Sequence, residues 1–135
     1  MKSRDALIRL KRFDVEEKRR KVADIEAMIS EFNHMAVDLD RQITIEQERA
    51  GISDVNHYAY PTFAKAALQR RNNLTASAAD LAAKLAAAKG ELDEASEDLK
   101  KIELLEERDA ERTRLEQGRN SPAELDVVGA HRVAS

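Results

Sequence analysis

Residues 74–102 read LTASAADLAAKLAAAKGELDEASEDLKKI, and the spacing of the apolar side chains in this stretch decides the fold. Leu74, Ala78, Leu81, Leu85, Ala88, Leu92, Ala95, Leu99 and Ile102 follow one another at alternating intervals of four and three without a slip. A stripe that returns every 3.5 residues stays on one face only when the helix winds around a partner, so the pattern predicts a left-handed coiled coil. The alanines on the stripe predict a close approach of the two helices. N-terminal to this stretch, the chain carries a second strict series of sevens: Ile8, Val15, Val22, Ile29, Ala36, Ile43 and Ala50. Its companion series is Lys11, Lys18, Ile25, Phe32, Leu39 and Glu46, apolar in the middle and polar at both ends.

Breakers divide the chain between these two seams. Gly51 and Pro61 bracket GISDVNHYAYP at 51–61, and Gly118 and Pro122 bracket GRNSP at 118–122. Segments 3–50 and 61–117 are left as two helices, with Ser3 as N-cap of the first and Pro61 in the first turn of the second. Gly90 falls on an outer position and is expected to soften the second helix without ending it. Ser121-Pro122-Ala123-Glu124 has capping-box spacing, so a short helix is expected over about 122–129. The expected organisation is therefore an all-α antiparallel two-helix coiled-coil hairpin at 1–117, turning at about 51–60, and a partly ordered tail at 118–135.

Charge selects that hairpin over a parallel dimer. The net charge of the whole chain is only −3, but its position-by-position distribution is uneven. Residues 1–21 carry a net +5, 22–50 a net −5, 61–90 a net +4 and 91–116 a net −6. Folding at 51–60 sets residue i opposite about 111−i, so that each block meets its opposite. A parallel in-register dimer would stack every block on its own copy, and flanking charges set orientation in coiled coils.

Composition excludes most chemistry. There is no Cys or Trp, 36% of residues are charged, and 22 of the apolar residues are alanine, so a core of two packed layers is not expected. No apolar run approaches the ~20 residues of a membrane span, and the start of the chain leads into charge, which predicts a soluble cytosolic chain. Glu31 and His34 match one Glu-x-x-His pair of di-iron bundles, but the second helix supplies no histidine to complete such a site. His57 and His131 have no partners at ligand or triad spacing. The Asn73-Leu74-Thr75 sequon lies mid-helix. No glycine-rich phosphate loop or nucleophile elbow occurs. No catalytic, metal or cofactor-binding residue is nominated, and no cofactor is expected.

Three features point towards partners. The basic run Lys18-Arg19-Arg20-Lys21 could meet nucleic acid or an anionic surface, could meet a protein partner, or could bridge to the acidic block of the second helix. Interleaved Asp14, Glu16 and Glu17 and the facing −6 block favour bridging to the second helix, and no nucleic-acid partner is expected. Leu7, Leu10 and Phe13 lie off the first seam, and Leu104 and Leu105 off the second. The end bearing both termini thus shows more apolar surface than a two-stranded seam needs. Either Leu125, Val127 and Val128 of the tail or another protein would cover it. At the turn, Tyr58, Tyr60 and Phe63 gather beside Arg70 and Arg71, either as a binding cluster or as a staple that closes the turn.

The chain resembles the FliJ family of flagellar export proteins in MKSRDALIRLKRFDVEEKRRKVADIEAMI (1–29), AGISDVNHYAYPTFAKAALQRR (50–71) and KKIELLEERDAER (100–112), taken in that order. The resemblance covers residues 1 to about 116. It implies a cytoplasmic component of the flagellar type III export apparatus, shaped like the central stalk of a rotary ATPase. Such a protein binds the hexameric export ATPase, touches the export gate at the inner membrane and escorts export chaperones, so membrane association would be peripheral and indirect. Carried onto this chain, the ATPase-facing end would hold Leu7, Arg9, Leu10, Arg12, Phe13, Leu104 and Leu105. Gate or chaperone contact would fall near Tyr58, Tyr60, Phe63 and Arg70. The competing expectation is a self-assembling structural coiled coil without an export role.

Overall fold

The structure is a computed structural model that describes residues 2–120. The chain is all-α: helix α1 runs Lys2–Ala50 and helix α2 runs Thr62–Asn120, and the two pack against each other as an antiparallel hairpin. Three boundaries differ from expectation, that at Pro61 among them. Ser3 lies inside α1, not at its cap. Gly118 lies inside α2, because one glycine costs about 1 kcal/mol and the good helix formers Leu115, Glu116, Gln117 and Arg119 around it offset that. The expected tail helix over 122–129, with Leu125, Val127 and Val128, falls outside the described residues.

Two compact units divide the hairpin. The turn unit spans Glu16–Glu94; the terminal unit joins α1 up to Val15 with α2 from Ala95 onward.

The turn unit is held by apolar contact. Val22, Ile25 and Ala88 form its buried centre, and Ile29, Leu81, Leu85 and Leu92 pack around them. Burying a Val or Ile side chain contributes on the order of 2 kcal/mol, so Val22 and Ile25 are large terms in so thin a seam. Ala36, Ile43, Ala64, Ala67 and Ala78 are buried along the same stripe. The register places Lys21 Nζ 3.4 Å from Glu91 and Arg71 Nε 2.9 Å from Asp40, both close to the expected 111−i pairing. Arg71 meets Asp40 at ion-pair distance without hydrogen-bond alignment. Gly90 is exposed within α2, as its outer position requires, and nothing lies within 4 Å of where its Cβ would be.

The connection folds by side-chain–backbone economy. Gly51 takes φ of 71°, a left-handed conformation that ends α1, and its N–H and that of Ile52 both donate to the Gln47 carbonyl at 2.8 and 3.2 Å. Ala50 is exposed rather than on the seam because α1 stops there. Asp54 then builds an Asx turn, accepting the Asn56 N–H on its carboxylate and the His57 N–H on its carbonyl. A second turn follows from the His57 carbonyl to the Tyr60 N–H. Pro61 stands just before α2, not within it, and its carbonyl accepts the Lys65 N–H at 3.0 Å.

The terminal unit buries Ile8, Val15 and Ala95, with Leu99 and Ile102 half-buried. Charge replaces apolar side chains along the rest of its seam. Arg4 donates to Asp109 and lies 3.5 Å from Glu106, Lys11 lies 4.0 Å from Asp98, and Arg12 donates to Glu103 at 3.0 Å. The heptad thus continues through Arg4 on α1 and through Glu106 and Asp109 on α2, filled by opposite charges.

Candidate partner-binding surface

Antiparallel pairing gives the terminal unit two flanks, and residue chemistry makes them unlike. Arg12 and Glu103 each follow a seam residue, Lys11 and Ile102, and their ion pair closes one flank. Leu7 and Leu105 each precede a seam residue, Ile8 and Glu106, so they share the other flank. The same relation pairs Lys21 with Glu91 inside the turn unit. Leu7 is 38% exposed and Leu105 44%, and Leu10, one turn along α1 from Leu7, is 64% exposed. This flank therefore presents leucines beside Asp98, which precedes Leu99 and pairs with Lys11, where its opposite presents the Arg12–Glu103 pair.

The seven expected residues of this end do not form one surface. Leu7, Leu10 and Leu105 share the flank just described. Phe13 and Leu104 are exposed but sit on the backs of their own helices. Arg9 is exposed on α1, and Arg12 is engaged by Glu103. Leu115, exposed near the end of α2, is an addition. Two more residues escaped notice because they belong to the acidic 91–116 block: Lys101 and Arg108 stand four before and three after Leu105. Both are exposed, and neither has an acidic partner at ion-pair distance among the described residues.

Where the basic run was expected to bridge to α2, two of its four side chains turn back on α1. Arg19 pairs with Glu16 and Arg20 with Glu17, whereas Lys21 reaches α2 at Glu91. Arg19 and Arg20 each stand one turn from a glutamate on their own helix, which is the favoured local spacing.

At the turn the expected aromatic cluster separates. Tyr60 is buried, and its hydroxyl accepts from the Gln47 amide at 2.8 Å, so it closes the turn structurally. Tyr58 is 96% exposed and stacks on His57 with ring centroids 4.7 Å apart. Phe63 is exposed on α2, and Arg70 borders a shallow groove with Met35, Asp38, Leu39, Gln42 and Leu74.

Electrostatics single out the Arg4–Asp109 contact. The hydrogen bond from Arg4 holds the Asp109 carboxyl below its ordinary range, aided by the charges of Arg4 and Arg112 and opposed by desolvation. The same bond raises Arg4, with Glu106 contributing. His34 and Glu31 are exposed on α1, and the Thr75 hydroxyl of the sequon donates to the Arg71 carbonyl within α2. Among the described residues no group of three or more His, Cys, Asp or Glu is placed to hold a metal ion, and no helix is long and apolar enough to cross a membrane. No protein-family model, curated protein or solved structure matches the chain.

Proposed function

We propose that this chain is a non-catalytic adaptor of flagellar type III protein export, a central-stalk-like coiled coil that binds the export ATPase ring with its terminal unit. Contacts with the export gate and with export chaperones fall to exposed residues towards the turn, Tyr58, Phe63 and Arg70, and Tyr60 keeps the turn closed behind them. The protein would be cytoplasmic and peripheral to the inner membrane through its partners. The observation that carries this reading is the antiparallel hairpin whose terminal unit leaves Leu7, Leu10, Leu104 and Leu105 exposed. It agrees with the resemblance in residues 1–29, 50–71 and 100–112 on architecture. A two-helix seam of alanine and scattered leucine is marginal alone and gains stability from a bound partner.

The test is reconstitution. Adding the purified chain to the export ATPase of the same cell should promote ring assembly and raise ATP turnover, and Leu7→Ser with Leu105→Ser should remove both effects. Unchanged assembly and turnover with both proteins folded would defeat the proposal.

A further inference from the structure

The leucine flank of the terminal unit has a defined chemistry on each side. Leu7 and Leu105 widen the seam from two heptad positions to three, the pattern of a helix that packs in a bundle rather than in an isolated pair. Lys101 and Arg108 straddle Leu105 along α2, seven residues and so roughly 10 Å apart. The neighbouring cations Arg4, Lys11, Arg12 and Arg112 are all satisfied by Asp or Glu of this chain. Lys101 and Arg108 have no acidic partner at ion-pair distance among the described residues, although they lie in the most acidic block of the sequence; the same holds for Arg9 and Lys100, which sit on the outer faces.

From this juxtaposition we infer that the flank takes a third helix supplied by another protein, amphipathic and acidic. Its apolar stripe covers Leu7, Leu10 and Leu105, and carboxylates about two turns apart reach Lys101 and Arg108. The inference rests on the reading of the terminal unit as a partner-binding end, and it specifies what that partner presents. Apolar contact gives the docking its affinity, and the two cations give it orientation and discrimination. A basic helix would meet like charge at both positions.

Two synthetic helices test this, each about 18 residues long with leucines at helical spacing, one flanked by glutamates and the other by lysines. Fluorescence anisotropy against the full-length chain should show the glutamate peptide binding and the lysine peptide not. Lys101→Glu with Arg108→Glu should weaken the glutamate peptide by about tenfold and admit the lysine peptide. Leu7→Ser with Leu105→Ser should abolish binding of either, with helicity checked by circular dichroism. Equal binding of the two peptides to the unmodified chain, or no binding, would overturn the inference. So would a dimer of the chain that Leu105→Ser dissolves, which would assign the flank to a second copy. Binding that requires serine at Leu125, Val127 and Val128 would assign it to the chain's own C-terminal segment. ATPase stimulation without peptide preference would leave the export role standing and remove only this inference. The converse result would do the reverse.

Discussion

Arg4, near the start of α1, donates a hydrogen bond to Asp109 of α2 across 105 positions of sequence. The contact occupies a seam position in each helix, where a coiled coil ordinarily places apolar side chains. Its consequence can be read by titration. Because the folded Asp109 carboxyl is lowered, its stabilisation is fully present above the ordinary carboxylate value and is lost as pH falls through the folded value. Asp109→Asn should therefore be less stable than the parent at neutral pH, and the difference should close in acid. Thermal unfolding followed by circular dichroism across that range checks the prediction; a gap that persists in acid would deny the linkage. Arg4 is raised, so its share is lost only at strongly alkaline pH.

Ala88 sits against Val22 and Ile25 at the centre of the turn unit and is 2% exposed. Ala88→Leu should cost about 1–3 kcal/mol by overpacking. Ile25→Ala should cost about 2–4 kcal/mol by opening a void. Urea denaturation of the two variants measures both, and a stabilising Ala88→Leu would mean that the helices are free to move apart.

Two glycines should respond with opposite sign. Gly90→Ala fills open space on a helix and should stabilise by about 1 kcal/mol. Gly51→Ala forces a side chain into the left-handed region and should destabilise by about 1 kcal/mol. Melting temperatures of the pair, compared with the parent, decide the matter.

The Lys21–Glu91 pair reports the register. Lys21→Glu and Glu91→Lys should each destabilise slightly, and the double exchange should recover about 0.2–1 kcal/mol. Additive losses in the cycle would mean that the two side chains do not face each other in solution.

Much of this architecture was legible in the sequence. The series of sevens in α1 and the alternating fours and threes in α2 marked residues that prove buried or half-buried, Ala50 excepted, and the charge blocks agree with the register that Lys21–Glu91 and Arg71–Asp40 obey. What escaped were the seam's extensions. In α2 the register runs on through Ala64, Ala67 and Arg71 at one end and Glu106 and Asp109 at the other. A search for apolar periodicity stops at a charge, yet a long side chain can lay its stem along the seam and find its counter-ion at the edge. The candidate surface was half legible for a related reason. Off-seam leucines were visible, but which of them share a flank depends on how the helices face, and Lys101 and Arg108 vanish inside a block whose net charge is negative. The turn misled because Tyr58, Tyr60 and Phe63 are neighbours in sequence while only Tyr60 turns inward to Gln47.

The bond between Tyr60 and Gln47 has one last consequence. A stripe of repeating alanines and leucines resembles a ruler whose marks are identical, and such a pairing could slide by one heptad, roughly 10 Å, and find nearly the same apolar fit. A tyrosine buried at the connection and gripped by the final turns of α1 supplies the zero of that ruler. It removes axial play where the repeat itself cannot.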